Sequence, residues 1–460
     1  MLNNKEILKM SVAYLIGQFL VYGLAFISTP IFSRLMPTEA YGLFDNVIAL
    51  ETILYPILTL NLQSTINRAK YEYAEDNDSF LLSIMVTANI ITLVFYLFVE
   101  ANINYLSGVS NIEIKYIRLF FVYMLFYPAF SFKQIQSTIN KEYKLYLKYA
   151  LISAFSRTII AIALVVKFED KFFGRFIGYI VPAILAFIPI YCGIIRNGKK
   201  VRVRYAIDAL KISVPLLPSA LSMMILLSSD RVMITKMVGR HENAIYSIAF
   251  SLSAIGMVLA TALNQVWAPL LFDSLNEKRY SETNDAAKVY VKIYALMISA
   301  LIIFSPELII IMGGDKYIGA IIAVPPILVG LLFQFIYTFY FNVEYFYGRT
   351  YIISLGTFIA ALMNLGLNYI FIPRYGFVAA AYTTMIGFAF MMLYHYFVVT
   401  YVMKKNIFNT QSFIFAIIAV IFIQLITYKL YAYCYIRYTM LGIVFLLTVK
   451  EIKEKFFKNA

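Results

Sequence analysis

The stretch "SVPLLPSALSMMILLSSDRVMITKMVG" (213–239) has the length and apolarity of a membrane-spanning helix, yet Asp230 and Arg231 stand side by side about two thirds of the way along it. A charge at the centre of a spanning helix costs roughly 2.5–3.5 kcal/mol on insertion scales. Adjacent residues on a helix point about 100° apart, so these two charges do not neutralise each other; only residues three or four apart are neighbours. Ser219, Ser222 and Met223 share the stripe of Asp230, whereas Arg231 lies nearer Met224 and Leu227. Each charge therefore needs a partner on another helix, or a ligand. A guanidinium grips phosphate oxygens in pairs, so Arg231 is the better ligand candidate of the two. For Asp230 the plain alternative is an inter-helix ion pair.

The rest of the chain supports a membrane setting. Of its 460 residues 62% are hydrophobic and 14% charged, and the mean hydropathy is +0.77. Soluble domains carry about 45–50% apolar and about 25% charged residues. The net charge of +14 would suggest nucleic acid in a soluble protein. Here the basic residues cluster in short loops, where orientation and anionic lipid contact account for them, and no nucleic-acid partner is expected. Cys192 and Cys434 fit no metal or redox spacing, and His241 and His395 are the only histidines, so neither a metal nor another cofactor is expected. No cleavable signal and no lipidation signal is evident.

Runs of about 20 apolar residues predict an all-α polytopic fold with fourteen spans: 11–33, 43–65, 80–99, 116–140, 147–166, 173–195, 211–238, 244–271, 289–312, 319–347, 350–372, 377–402, 411–430 and 433–449. With a cytoplasmic N-terminus, inside loops hold Arg68, Lys70, Lys141, Lys144, Lys148, the cluster Arg196 to Arg204, Lys278, Arg279, Lys404, Lys405 and the basic tail. Outside loops hold about half as many, among them Lys167, Lys171, Lys316 and Arg374. Both termini are thus expected in the cytoplasm, with no folded external domain. The longest polar connection, "RNGKKVRVRYAIDALK" (196–211), falls where a protein of two halves would have its hinge. Around it "KMSVAYL" (9–15) matches "KISVPLL" (211–217), each opening a span, as in a parallel repeat with a site between its halves. The expected organisation is a six-helix bundle over 1–200, a second over 201–405, and two additional helices with a basic tail over 406–460.

Four stretches in order, "RLMPTEAYGLF" (34–44), "SVPLLPSALSMMILLSSDRVMI" (213–234), "AIYSIAFSL" (244–252) and "LNYIFIPRYGFVAAAYTT" (367–384), resemble the polysaccharide flippases of the multidrug/oligosaccharidyl-lipid/polysaccharide exporter superfamily. The likeness is greatest to the O-antigen and capsule repeat-unit transporters, and it runs over nearly the whole chain. One departure is Ala379, where the family often has Gly; Ala is still small enough for close helix packing. The resemblance implies a V-shaped pair of six-helix bundles around a central cavity, pseudo-two-fold related, with two extra C-terminal helices. It also implies a monomer in the bacterial cytoplasmic (inner) membrane. Its cargo would be an undecaprenyl-diphosphate-linked oligosaccharide, carried between leaflets by alternating access. The family's charged residues vary among members, so no residue set is carried over from it.

Charges within the expected spans are Glu51, Lys133, Arg157, Asp230, Arg231, Glu307, Glu344 and His395. Ionised at mid-depth against lipid, they would cost on the order of 20 kcal/mol, more than most domains are stable by, so they must face protein, water or an interface. The substrate-binding candidates are Arg157, Arg231, Lys133, Arg34 and Arg68, as cations for a diphosphate; for Lys133, Arg34 and Arg68 interface anchoring is the alternative. Asp230, Glu51 and Glu307 are candidates for ion coupling or gating, taking up H+ or holding Na+. Asp230 is expected to meet a cation, such as Arg157 or the coupling ion, when the cargo is absent. Glu344 reads as interfacial and His395 as a packing residue. Two rival readings are a cation antiporter of the same superfamily and a membrane glycosyltransferase or polymerase. The first should favour acids over cations in its cavity. The second needs a large external loop with catalytic residues, and none is seen.

Overall fold

The computed structural model describes residues 23–24, 26–110, 112–140 and 142–442. They are helical almost throughout, and ten of the described helices have the length and apolarity to cross a membrane. That is fewer than the fourteen expected. The first and last expected spans, 11–33 and 433–449, lie largely or partly outside the described residues. The fourth and fifth correspond to helices of 26 and 25 residues that are diluted by basic and polar side chains. The chain divides into two compact units, Met1–Met224 and Ile225–Ala460.

The first unit contains α1 (26–35), α2 (Thr38–Leu58), α3 (Ile66–Glu72), α4 (Asn77–Ala101), α5 (Ile103–Ser110), α6 (Ile114–Ile139), α7 (Tyr143–Lys167), α8 (Lys171–Asn197) and the first part of α9 (Val203–Met237). The expected span 43–65 stops at Leu58. Leu60 and Asn61 adopt left-handed backbone with φ of 43° and 56°, and a 3-10 turn over Leu62–Thr65 leads into α3. Asn accepts that conformation readily because its short amide bonds locally; here its Oδ1 takes a hydrogen bond from Gln63 Nε2 at 2.9 Å. The start of α8 is fixed by Asp170, whose carboxylate accepts from the Phe173 amide at 2.9 Å, satisfying one orphan N–H of the first turn.

Aromatic rings fill this unit. Phe44, Tyr116, Phe121, Tyr123, Phe176 and Phe187 are among its buried core residues. Helices α7 and α8 meet backbone to backbone. A Cβ on Gly178 would lie 2.2 Å from Ala161 Cα, and one on Gly174 would lie 2.7 Å from the Leu164 carbonyl oxygen. Small residues permit such approach where lipid supplies no hydrophobic drive between helices. Replacing Gly178 with Leu is therefore expected to destabilise the unit by about 3 kcal/mol, the upper range for overpacking. A lowered melting temperature of the purified protein would register it, and an unchanged one would show that the two helices can separate freely.

The connection between α8 and α9 is shorter than the polar stretch suggests, because α9 begins at Val203 rather than near 211. It is not a free hinge. Ser79 Oγ donates to the Gly198 carbonyl at 2.5 Å, and the Arg202 amide donates to Ser83 Oγ at 2.9 Å. Arg202 pairs with Asp76 at 2.8 Å, and Asp76 also accepts from Tyr205 OH at 2.8 Å. The connection and the first turn of α9 are thus tied to the N-terminal end of α4.

The second unit holds the remainder of α9, then α10 (Arg240–Asn276), α11 (Tyr280–Ile303), α12 (Ser305–Gly313), a 3-10 stretch (Asp315–Ile322), α13 (Val324–Phe346), α14 (Thr350–Tyr375), α15 (Phe377–Phe397), α16 (Thr410–Leu430) and α17 (434–442). The expected span 289–312 is split at Phe304. Pro306 opens the new helix α12, where its missing N–H is no loss. Pro325 and Pro326 begin α13 in the same way. α13 is the most enclosed of the candidate spans and packs on α10, α11, α14, α15 and α16. The buried Trp267 of α10 lies 4.6 Å from the Phe339 ring, which in turn meets Phe413 of α16 at 5.7 Å. Between α14 and α15 the chain turns on Gly376, at φ +66°, and Ala379, Ala380 and Ala381 are buried just after it.

Candidate transport sites

Asp230, 2% exposed, is held in the second unit by three neutral donors. Asn368 Nδ2 of α14 reaches Oδ1 at 2.6 Å. Tyr246 OH of α10 and Thr384 Oγ1 of α15 both reach Oδ2 at 2.5 Å. A further layer supports these groups. Asn364 Nδ2 donates to Thr384 Oγ1 at 3.2 Å, Asn368 Nδ2 donates to Asn364 Oδ1 at 3.2 Å, and Thr383 Oγ1 donates to Asn368 Oδ1. Within the second unit, the printed partners of the Asp230 carboxylate are these three uncharged donors. Helices α10, α14 and α15 thus each bring one donor to the Asp230 carboxyl group of α9.

A carboxylate accepting three neutral hydrogen bonds is solvated, but its net charge stays in a low-dielectric setting. The groups facing the carboxyl are donors, one amide N–H and two hydroxyls, while the Asn368 carbonyl is turned to Thr383 and the Asn364 carbonyl to Asn368. Among the described residues no group of three or more His, Cys, Asp or Glu side chains could hold a metal ion.

Arg231 faces elsewhere, as helix geometry requires. Its Nη2 donates to Ser228 Oγ at 3.2 Å and to the Leu227 carbonyl at 3.4 Å, and its guanidinium lies 5.0 Å from the Phe250 ring centre. Nε is buried without a hydrogen-bond partner. The guanidinium therefore retains donor capacity.

In the first unit Glu51 and Arg157 come together through tyrosines. Glu51, 7% exposed, accepts from Tyr123 OH at 2.9 Å and from Tyr179 OH at 3.1 Å. Arg157 Nη2 donates to Tyr123 OH at 2.9 Å. Its guanidinium lies 4.3 Å from the Tyr179 ring centre and about 5 Å from those of Tyr123 and Phe187. Desolvated cation–π contact of this kind is worth about 2 kcal/mol. The cluster joins α2, α6, α7 and α8. Glu51 also borders a cavity of about 330 Å³ with Tyr55, Gln63, Tyr127 and Met224.

The other candidates are placed as follows. Lys133 donates to Gln136 Oε1 at 2.6 Å and borders a cavity of about 100 Å³ with Asp78, Tyr149 and Asn197. Arg34 donates to the Pro30 carbonyl at 2.9 Å and is exposed. Arg68, also exposed, pairs with Glu72 one turn on. Glu307 forms a two-pronged pair with Arg437 at 2.5 and 3.1 Å, and Arg437 also donates to the Ile303 carbonyl. That pair fastens α17 to α12.

Sequence reasoning missed several participants. Tyr246, Asn368, Thr383 and Thr384 stood unmarked because Tyr, Asn and Thr cost little in a spanning helix and so give no alarm. Arg175 was overlooked close to a helix start; it is buried, with Phe32, Tyr41 and Phe44 ring centres at 4.0–4.5 Å and Asp45 at 3.8 Å. Glu344 was expected at the interface. It is instead fully buried, with Oε2 2.7 Å from His395 Nδ1. Nearness to a helix end says nothing about lateral enclosure, and α13 is walled on several sides.

Ten helices long and apolar enough to cross a membrane among the described residues define a multi-pass membrane protein. Residues 7–275, more than half of the chain, match the family described as polysaccharide biosynthesis protein. The chain belongs to that family. Its fold is shared with a lipid II flippase, MurJ, in an inward closed conformation, at a TM-score of 0.76 and 17% identity over 98% of this chain and all of that one. An inward-facing MATE multidrug resistance transporter matches at a TM-score of 0.60 and 17% identity over 87% of this chain and 99% of that one. A transporter of the same superfamily from Pyrococcus furiosus, with a binding pocket described as reversed in polarity, matches at 0.57 and 16%, over 91% of this chain and 96% of its own. At these identities the likeness is one of fold, that of the multidrug/oligosaccharidyl-lipid/polysaccharide exporters. An uncharacterized membrane protein of Methanocaldococcus jannaschii is 27% identical over 193 residues, 40% of this chain and 36% of that protein. The match thus spans about a third of that relative's length.

Proposed function

We propose that the protein is a cation-coupled flippase. It moves an undecaprenyl-diphosphate-linked oligosaccharide from the cytoplasmic to the outer leaflet of the bacterial inner membrane, for O-antigen, capsule or a related surface polysaccharide. The observation that carries the coupled mechanism is the Asp230 carboxyl group, buried among one amide and two hydroxyl donors. Binding of H+ or Na+ there neutralises the carboxylate and ties together α9, α10, α14 and α15. An ion shifts a conformational equilibrium only as far as it binds one state better than the other, and a site built from four helices gives it that preference. Membership of a polysaccharide biosynthesis family supports a glycan-bearing cargo. Arg231, and Arg157 with its unpartnered Nε, are the cations that attract the diphosphate. Lys133, Arg34 and Arg68 sit closer to helix ends and would receive the headgroup at the membrane surface. Glu51 gates Arg157 by competing for it. Glu307 has the more structural part, through Arg437. The protein works as a monomer, with both termini in the cytoplasm.

A rival reading, a cation antiporter, shares the fold. Binding separates the two: the purified protein should retain an undecaprenyl-diphosphate glycan and ignore hydrophobic organic cations. The reverse preference would overturn the cargo assignment. For orientation, a Lys200→Cys variant should resist an impermeant thiol reagent in spheroplasts and react once the membrane is opened. Labelling of intact spheroplasts would invert the topology.

A further inference from the structure

The second unit contains another pair of buried titratable groups, apart from the Asp230 cluster in its bonding. Glu344 on α13 and His395 on α15 are both 0% exposed, with His395 Nδ1 2.7 Å from Glu344 Oε2. The two remaining polar atoms, Glu344 Oε1 and His395 Nε2, are buried with no hydrogen-bond partner. The titratable groups facing the pair are tyrosines. Tyr337 on α13 has its ring 4.8 Å from the imidazole, and Tyr394 on α15 has its ring 5.1 Å away. From α14, backbone closes the site: a Cβ on Gly356 would come within 2.9 Å of His395 Nε2. Arg349 reaches Glu344 only through its amide, which donates to the Glu344 carbonyl at 2.9 Å, and its side chain is exposed. No lysine or arginine side chain bonds to either group among the described residues.

Charge bookkeeping then decides what the pair holds. A carboxylate beside a neutral imidazole carries a net charge of −1 with no counter-ion. A neutral acid beside a protonated imidazole carries +1. Either state buries an unpaired charge, at several kcal/mol even after relaxation. The state with one proton between the two groups is neutral overall, whether written as an ion pair or as acid and neutral imidazole. The two groups titrate as one unit, and the proton belongs to the pair. The closed packing of α13 on α15 thus has a proton as one of its components. Just after His395 the regular helix gives way to a π-helical turn over Val398–Val402. Such turns are rare within α-helices and occur frequently at functional sites.

We propose that Glu344 and His395 form a proton-binding site that holds one proton while α13 packs on α15, and exchanges it only when those helices part. The inference does not depend on the cargo or on Asp230.

The linkage has a definite sign. An unfolded or opened pair binds one proton between about pH 4.3 and 6.5, and none above that range. The packed pair still holds one. Above about pH 6.5 the packed state therefore binds more protons than the open one, and stability must fall as pH rises. The limit for one proton is a tenfold loss in the folding equilibrium per pH unit.

The chain has two histidines, which makes the test direct. Full-length protein in lipid nanodiscs, labelled with 15N in the imidazole rings, should give two sets of signals. A His241→Gln variant assigns them and leaves the buried pair untouched. The His395 signals should stay in one protonation state from pH 5.5 to 8. Glu344→Gln should change the His395 spectrum. Titration of His395 in the ordinary range in the wild-type protein overturns the proposal without recourse to any variant. A His395 spectrum indifferent to Glu344→Gln does so as well. In parallel, the melting temperature should fall between pH 6.5 and 8.5 in the wild type and fall less steeply in the Glu344→Gln, His395→Gln double variant. Equal slopes would contradict the proton's part in packing.

Discussion

Asp230→Asn should uncouple the transporter while leaving its cargo bound. The variant keeps the size of the side chain and removes the one formal charge in a ring of neutral groups. Tyr246 and Thr384 both donate to Oδ2, so an amide nitrogen in that position would also confront two donors. With no carboxylate, neither H+ nor Na+ has a reason to bind there. The coupling between an ion site and a conformational equilibrium is typically about 1–3 kcal/mol, so gradient-driven transport should fall by up to about 150-fold. Affinity for an undecaprenyl-diphosphate glycan should remain, because the arginines that attract the phosphates are unchanged. Thr384→Val removes one donor to the carboxylate and should lie between the two, at about 1 kcal/mol or fivefold. Arg231→Gln makes the opposite expectation, since it weakens cargo binding and leaves the Asp230 ligands in place. Equal loss of binding in Asp230→Asn and Arg231→Gln would mean that the two charges are structural.

Arg157→Ala is expected to destabilise the first unit rather than merely to slow transport. The side chain is sandwiched by Tyr179, Tyr123 and Phe187 and shares Tyr123 with Glu51. Its removal takes the Arg157 donor from Tyr123 OH, which bonds Glu51, and empties the space between the three rings. Truncating a large buried side chain in this way costs about 2–5 kcal/mol. A lysine should recover part of this, supplying charge without the planar fork that stacks on Tyr179. Neutralising both charges, as Glu51→Gln with Arg157→Met, should restore most of the stability, because no unpaired charge remains. If that double variant is stable and inactive, the pair serves transport. If it is stable and fully active, Arg157 is packing alone. Thermal melting with a binding measurement on the same preparations separates these outcomes.

The sequence made the class of fold plain because bilayer physics writes long apolar runs that no soluble protein carries. Helix breaks were harder to read. The chain leaves the second helix at Leu58, where Leu60 and Leu62 keep the apolar pattern going among polar residues, and it interrupts the ninth expected span at Phe304, where Pro306 could equally have marked a bend. Asp230 announced itself as a charge with nothing on its own helix to meet it. Its partners Asn368 and Thr384 lie 138 and 154 residues further along the chain, and no local pattern joins them. The three uncharged donors within its own unit gave no such signal, because neutral polar residues cost little in a spanning helix. The pairing of Glu307 with Arg437 and of Glu344 with His395 was hidden by separation along the chain as well. Depth along a helix can be counted in residues, whereas lateral neighbours depend on how helices pack. Hidden too was the docking of residues 198–202 on α4, because a basic stretch looks like any solvated loop until its backbone partners are known.

The central claim is that cargo movement is driven by a cation at Asp230. Proteoliposomes carrying the purified protein and a fluorescent undecaprenyl-diphosphate glycan allow a direct test, with H+ and Na+ gradients imposed separately and outer-leaflet glycan scored by quenching. The account predicts that one of the two gradients accelerates flipping in the wild type and that Asp230→Asn flips at the slow, gradient-independent rate. Flipping by the wild type that ignores both gradients and matches Asp230→Asn would contradict it.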